Sequence, residues 1–387
     1  MMSMCFFLML AILLFATVFR NTDKFSFFEN RNLTEKPEIT KETVLTGEYF
    51  SVFERYLEDH AAARNTLIKL NTSVDLIMGK PVVNNVVVKD NCLLPFNGYE
   101  STPDAGFIEA RAEQVGKNLA AHRNAVESYG GHFCYVAVPC QYVCLENEYP
   151  WYLNNRSSFT KASSSALFGV LDKAGIDYID MYGEYLGYSD EKKAQFTSTI
   201  DNHFSIYGAY ETYLKMIEKI NSEWGGDVDV LTEDGFSVEK INNRYLGSRN
   251  RKLFNLWSND ESLYCIIPKN EIPFRRFNNG IEVVPSLYSI PSNPYAFATY
   301  PVYMGGDIAH TLIDTNRPEL PSILIYGDSF TNAVECIAWY SFDKMESVDL
   351  RYYKEKTLDE LIDELRPDYV FCIRDYEQLI EIIANGQ

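Results

Sequence analysis

The sequence predicts an α/β protein with a doubly wound parallel sheet, enlarged by an irregular insertion and preceded by an apolar amino-terminal segment. Three observations carry the prediction. Apolar runs of strand length recur at 133–138 (FCYVAV), 176–179, 323–326 (ILIY), 348–352 and 369–373 (YVFCI). Stretches with helical spacing of apolar residues alternate with these runs, which is the rhythm of parallel strands joined by crossover helices. Glycine, proline and asparagine punctuate the junctions.

Taken in order, residues 1–19 (MMSMCFFLMLAILLFATVF) contain no charged residue. A helix rises 1.5 Å per residue, so the run reaches about 28 Å, close to the roughly 30 Å hydrocarbon core of a bilayer. No basic stretch precedes it and no A-x-A site follows, so it reads as an anchor or uncleaved signal. A buried core helix is the plainer alternative, and apolarity on every face speaks against it. Arg20 and Lys24 follow the run, so the orientation rule is weak and runs contrary to an exported body. Residues 20–48 are polar and turn-rich. Residues 48–78 have helical spacing in Phe50, Phe53 and Leu57, then Leu67, Leu70, Val74 and Ile77. Short β segments follow at 84–88, with a turn at Asn97-Gly98.

The alternating part starts with a helix over 104–129 that stops at Gly130-Gly131. Then come strand 133–138, helix 163–174, strand 176–179 and helix 206–221. The block at about 225–320 breaks the rhythm and reads as the insertion. Beyond it lie strand 323–326, helix 331–340, strand 348–352, helix 357–365, strand 369–373 and a last helix over 375–384. The division expected is an anchor over 1–20, an amino-terminal arm over 21–100 and one α/β domain over 101–387.

The chain has 387 residues, 46% of them hydrophobic, enough for a large core and against global disorder. Thirty-five basic against 54 acidic residues leave a net charge of −19. That argues against a phosphate-backbone partner such as nucleic acid, and against docking on anionic lipid through a basic patch. Eight cysteines, one of them in the apolar run, leave an odd number and no tidy disulfide framework. Cys134, Cys140 and Cys144 lack the paired spacing of a zinc site and read as small buried hydrophobes. No metal and no cofactor is expected.

Two motifs bear chemistry. In Tyr326-Gly327-Asp328-Ser329-Phe330 an apolar strand ends and a helix begins. In a parallel sheet this puts Ser329 at the carboxyl edge, where open α/β sheets bind ligands. Gly327 permits a tight turn, and the helix start directs free N–H groups toward the hydroxyl. A serine so placed can attack a carbonyl, while nearby donors hold the oxyanion. The plainer alternative is that Asp328 or Ser329 only caps the helix. In Asp201-Asn202-His203 a carboxylate two residues before an imidazole can turn back onto it and leave the other ring nitrogen free as a base. Capping of the next helix by Asp201 or Ser205 is again the alternative. Among the other histidines, His60 and His122 read as solvated, His132 opens a strand, and His310 has no evident partner.

Together the motifs supply a serine, a histidine and an acid, each beside a helix start. At this point the sequence resembles the SGNH hydrolase superfamily. More narrowly, Ile200-Asp201-Asn202-His203-Phe204 with Tyr207-Gly208-Ala209-Tyr210 is similar to the DHHW-type proteins and the alginate O-acetyltransferase group. Phe25 to Leu33 (FSFFENRNL), Gly47-Glu48-Tyr49-Phe50 and 59–67 continue the resemblance. It implies a flavodoxin-like three-layer SGNH fold, exported and membrane-anchored. It also implies an O-acetyltransferase or acetylesterase acting on a cell-surface polysaccharide through an acetyl-serine. Carried over by position, Ser329 is the nucleophile, His203 the base and Asp201 its orienting acid, with Gly327 and Asp328 shaping the site and its oxyanion side. Asn202 and Phe204 stand where the family motif has His and Trp, and no basic residue follows Pro139. Implied partners are the polysaccharide, the membrane through residues 1–19 and, for a transferase, a separate membrane-bound acetyl donor. A polysaccharide-binding or assembly protein of the same fold without useful activity is the other reading. Arg244, Arg249, Arg251, Lys252, Arg275 and Arg276 could form a local basic patch, though a solvated face is the plainer expectation.

Overall fold

Eight strands form the central sheet of the computed structural model, which describes residues 24–99 and 103–382 together with positions 4, 7, 8, 11, 12 and 15–17. In chain order they are β1 (His132–Val138), β2 (Tyr178–Asp180), β3 (Arg275–Asn278), β4 (Ile281–Val283), β5 (His310–Asp314), β6 (Ile323–Gly327), β7 (Lys344–Val348) and β8 (Tyr369–Asp375). Their order across the sheet is β4-β3-β5-β7-β6-β8-β1-β2. The run from β7 to β2 is parallel throughout. The other three strands add to the β7 edge in antiparallel fashion. The fold is therefore mixed α/β with a mostly parallel central sheet.

β6 and β8 lie inside the sheet, and every residue of both is buried. This is why they read as unbroken apolar runs. The principal helices are α1 (Ala105–Glu127), α2 (Ser157–Ala174), α3 (Ile206–Glu218), α4 (Thr331–Ala338) and α5 (Leu358–Leu365). α1 packs with α2 and α5, and α3 packs with α4. Their starts are capped locally. Asp104 accepts from the Phe107 N–H, Ser205 from Tyr207 and Gly208, and Thr357 forms a reciprocal cap with Glu360.

The chain divides into two compact units, 1–88 with 249–258, and 89–248 with 259–387. In the first, Glu48–His60 and Arg64–Ile77 are two separate helices where one continuous helical stretch is expected. Ala63 between them is left-handed, with φ 60°, which ends the first helix and starts the second. Glu29 and Arg31 of the FSFFENRNL stretch pair with Arg64 and Asp59, so the charged residues of that motif tie the arm to the helix junction. Phe28 stacks on Phe254, with ring centroids 4.6 Å apart. The anchor read from residues 1–19 falls largely outside the described residues; among those described, no helix is long and apolar enough to cross a membrane.

Several expectations are corrected in the second unit. The block at 225–320 is not merely an insertion, because it supplies β3, β4 and β5 to the sheet. The strand expected at 348–352 is β7 at Lys344–Val348, which alternates because it pairs on one side with the partly exposed antiparallel β5. The final helix is absent over its described residues. There the Asp375 carboxylate accepts the N–H groups of Glu377 and Gln378, and the Arg374 guanidinium takes the carbonyls of Gln378 and Glu381. Side chains thus bond the backbone groups that a helix would pair. His60 and His122 are buried rather than solvated. His122 Nδ1 lies 2.8 Å from the Tyr326 hydroxyl, and His310 pairs with Glu346 at 2.6 Å.

Candidate active site

Ser329 lies two residues beyond β6, at the carboxyl edge of the parallel strands. The turn that carries it is made by its two predecessors. A Cβ on Gly327 would sit 1.8 Å from the Ile373 carbonyl oxygen, so only glycine lets β6 pass β8 at this height. The buried Asp328 carboxylate accepts the Phe330 N–H at 3.0 Å and the Asp375 N–H at 2.9 Å. Asp328 therefore braces the turn from beneath. Ser329 is left half-buried at the surface of the edge, just before α4.

The Asp201–His203 segment enters from the loop before α3. Asp201 is 2% exposed. Its Oδ1 accepts the His203 backbone N–H at 3.1 Å and faces His203 Nδ1 at 2.7 Å. Its Oδ2 accepts the Ser248 N–H at 2.6 Å. Burial alone would push this carboxyl up. The His203 hydrogen bond and charge, with the N–H groups of Ser248 and His203, outweigh burial and hold it at about 2. A carboxylate on Nδ1 puts the ring proton there and leaves Nε2 as an acceptor. Nε2 is 2.8 Å from Ser329 Oγ, although 126 residues separate the two. The serine, histidine and acid read from separate motifs thus meet in one hydrogen-bonded chain.

Aromatic residues wall the imidazole. Tyr300 stacks on it with centroids 3.6 Å apart and planes 4° apart, and Phe330 lies at 4.9 Å. Phe204 is buried edge-on against Phe330 at 5.0 Å. Further along the same sheet edge, Arg351 bridges Asp349 and Asp307, and Asp307 accepts the Asn332 amide at 3.0 Å. The sequence offered no signal for Ser248 or Tyr300, which lie in the irregular block with no motif around them. Arg276, one of the basic-patch candidates, is buried and donates to the carbonyls of Ser286 and Met304. Among the described residues no cluster could hold a metal ion. Cys92, Cys134, Cys144, Cys265, Cys336 and Cys372 are free thiols.

No protein-family model and no curated protein sequence matches the chain. Solved structures do. Bacillus cereus PatB1 is similar with a TM-score of 0.63 at 19% identity, over 76% of this chain and 96% of that one. A second PatB1 structure, with a sulfonyl adduct, gives a TM-score of 0.63 at 17% identity, over 76% and 95%. A DHHW family protein from Eubacterium siraeum matches with a TM-score of 0.56 at 16% identity, over 78% and 94%. The resemblance carried by Ile200–Phe204 and Tyr207–Tyr210 thus extends to the fold, since a DHHW family protein is among the structural neighbours.

Proposed function

We propose that this protein is a serine acyl-transfer enzyme, an O-acetyltransferase or acetylesterase acting on an extracellular or cell-envelope polysaccharide. The observation that carries the proposal is the Asp201–His203–Ser329 hydrogen-bonded chain at the carboxyl edge of the sheet. Ser329 Oγ attacks the acetyl carbonyl while His203 Nε2 takes its proton. Asp201, held ionised, stabilises the imidazolium that forms. The tetrahedral intermediate collapses, the donor's oxygen leaves with the proton from Nε2, and acetyl-Ser329 remains. An acceptor hydroxyl then gives its proton to Nε2 and attacks the acetyl-serine, and the bond to Ser329 Oγ breaks as Oγ takes that proton back, which releases the acetylated acceptor and the free enzyme. A sugar hydroxyl makes the protein a transferase, and water makes it an esterase. The family resemblance is what narrows acyl to acetyl and the acceptor to polysaccharide. The net charge of −19 favours a neutral glycan over an anionic one.

In the same proposal, residues 1–19 anchor the protein and the α/β unit lies outside the cell. One short apolar segment offers no path for acetyl groups across a bilayer, so a transferase draws them from a separate membrane partner. The test is release of p-nitrophenol from its acetate ester by wild type and Ser329→Ala, with mass spectrometry of the peptide bearing Ser329. The expected result is loss of turnover in the variant and an acetyl group trapped on the wild-type peptide. Equal rates would remove Ser329 from the mechanism. A wild type without turnover that still binds glycan would favour a binding or assembly role.

A further inference from the structure

We propose that the Asn202 side-chain amide is a catalytic donor to the sugar oxygen that exchanges its proton with His203. The inference rests on the acyl-transfer reading above and adds a residue to it. Asn202 stands between the acid and the base, and its backbone is pinned on both sides. Its N–H donates to Ser248 Oγ at 3.2 Å, and its carbonyl accepts the Gln141 N–H at 3.0 Å. The side chain is oriented as well, because the Ser248 hydroxyl donates to Asn202 Oδ1 at 2.8 Å. That bond turns the amide nitrogen the other way, to 3.4 Å from His203 Nε2. Nε2 has one lone pair, and the Ser329 hydroxyl uses it. The Asn202 amide therefore shares the Nε2 edge with the Ser329 hydroxyl, as the longer and weaker of the two contacts.

Any oxygen that passes a proton to or from Nε2 must come within about 2.6–3.2 Å of that atom. Two oxygens do so in the reaction, Ser329 Oγ and the alkoxyl oxygen of the sugar. A donor 3.4 Å from Nε2 lies beside the second when the sugar is bound. It supplies a hydrogen bond that strengthens as negative charge develops there when the sugar leaves, and it orients the same oxygen when the sugar attacks. Being a neutral amide, it adds no competing base. Ser248 is then a positioning residue twice over, since its N–H holds Asp201 and its hydroxyl holds Asn202.

The test compares kcat/KM for two acetyl esters, p-nitrophenyl acetate and an acetylated monosaccharide, in wild type, Asn202→Ala and Ser329→Ala. A p-nitrophenolate leaves unaided, whereas a sugar alkoxide needs both a proton and a hydrogen bond. Asn202→Ala is expected to lower kcat/KM for the sugar ester about tenfold or more beyond any loss it causes for p-nitrophenyl acetate, the scale of one charge-assisted hydrogen bond. An equal fall for both esters would mean that Asn202 merely supports the triad, and no fall would mean that it is idle; either overturns the inference. If Ser329→Ala turns over p-nitrophenyl acetate like wild type, the acyl-transfer reading itself has failed, which separates the two outcomes.

Discussion

Tyr300 lies flat against His203, at a centroid distance of 3.6 Å and an interplanar angle of 4°. The contact fixes the plane of the imidazole on one face while Asp201 fixes its Nδ1 edge. Tyr300 is 3% exposed, and its hydroxyl has no hydrogen-bond partner among the described residues. The ring is therefore the working part of this side chain. Tyr300→Leu is expected to lower kcat/KM for p-nitrophenyl acetate by about tenfold to a hundredfold, as a misplaced base does. Tyr300→Phe is expected to keep the activity and raise Tm, because it removes a buried polar atom that has no partner. A Phe variant as impaired as the Leu variant would show that the hydroxyl is needed.

His122 sets an acid limit on stability. Burial pushes its imidazole down to about 4, and the nearby Asp359 offsets this only in part. The folded state therefore favours the neutral ring, while the unfolded chain takes up a proton near pH 6.5. Stability is lost as pH falls from about 6.5 to about 4, by about 3 kcal/mol in all. His122→Gln can still accept from the Tyr326 hydroxyl and should lose about that much less over the same window in urea unfolding. Parallel curves for the two proteins would refute this.

Asp201 acts lower on the pH scale. Its folded value of about 2 lies below the ordinary 3.8, so its contribution is complete above about pH 4 and fades as pH falls toward 2. The contribution is about 2 kcal/mol. Asp201→Asn should flatten the stability curve in that window and lower kcat by about a hundredfold or more, by weakening the hold on the His203 tautomer. Acid titration followed by tryptophan fluorescence, with esterase rates alongside, measures both.

Gly327→Ala places a methyl group 1.8 Å from a backbone oxygen that has no room to retreat inside the sheet. The expected cost is about 3 kcal/mol or more, with most of the protein insoluble. A soluble variant with unchanged Tm would mean that β6 and β8 are spaced more loosely than described.

The cysteines should be inert. Cys92, Cys134, Cys144, Cys265, Cys336 and Cys372 are free thiols, and all of these but Cys144 are buried. Burial raises Cys92 to about 12 and Cys144 to about 11. With Cys5 replaced by Ser, native protein should react slowly with a thiol reagent and fully after denaturation, and reductant should leave Tm unchanged. Fast labelling of the native protein is the contrary result.

Much of this site was legible because its parts are local. Asp201 and His203 are two residues apart, and the carboxylate turns back within one loop. Gly327, Asp328 and Ser329 share one turn, and the strand before them is apolar because both its faces are covered. The less legible parts are those whose partners lie far along the chain. β7 carries Lys344 and Glu346 and read as a strand only from 348 onward, because pairing with β5 and β6 rather than hydropathy decides where it runs. His122 looked solvated on a polar helix, yet its ring meets Tyr326, 204 residues away.

By itself, then, the sequence determined the parallel core strands, the serine turn and the acid–base pair, since each depends on neighbours within a few residues. Tertiary structure alone decided that Ser329 and His203 meet, that the block before β6 extends the sheet, and that Ser248 and Tyr300 hold the acid and the base. Those relationships join groups about 30 to 130 residues apart, and no local pattern encodes a distance across the fold.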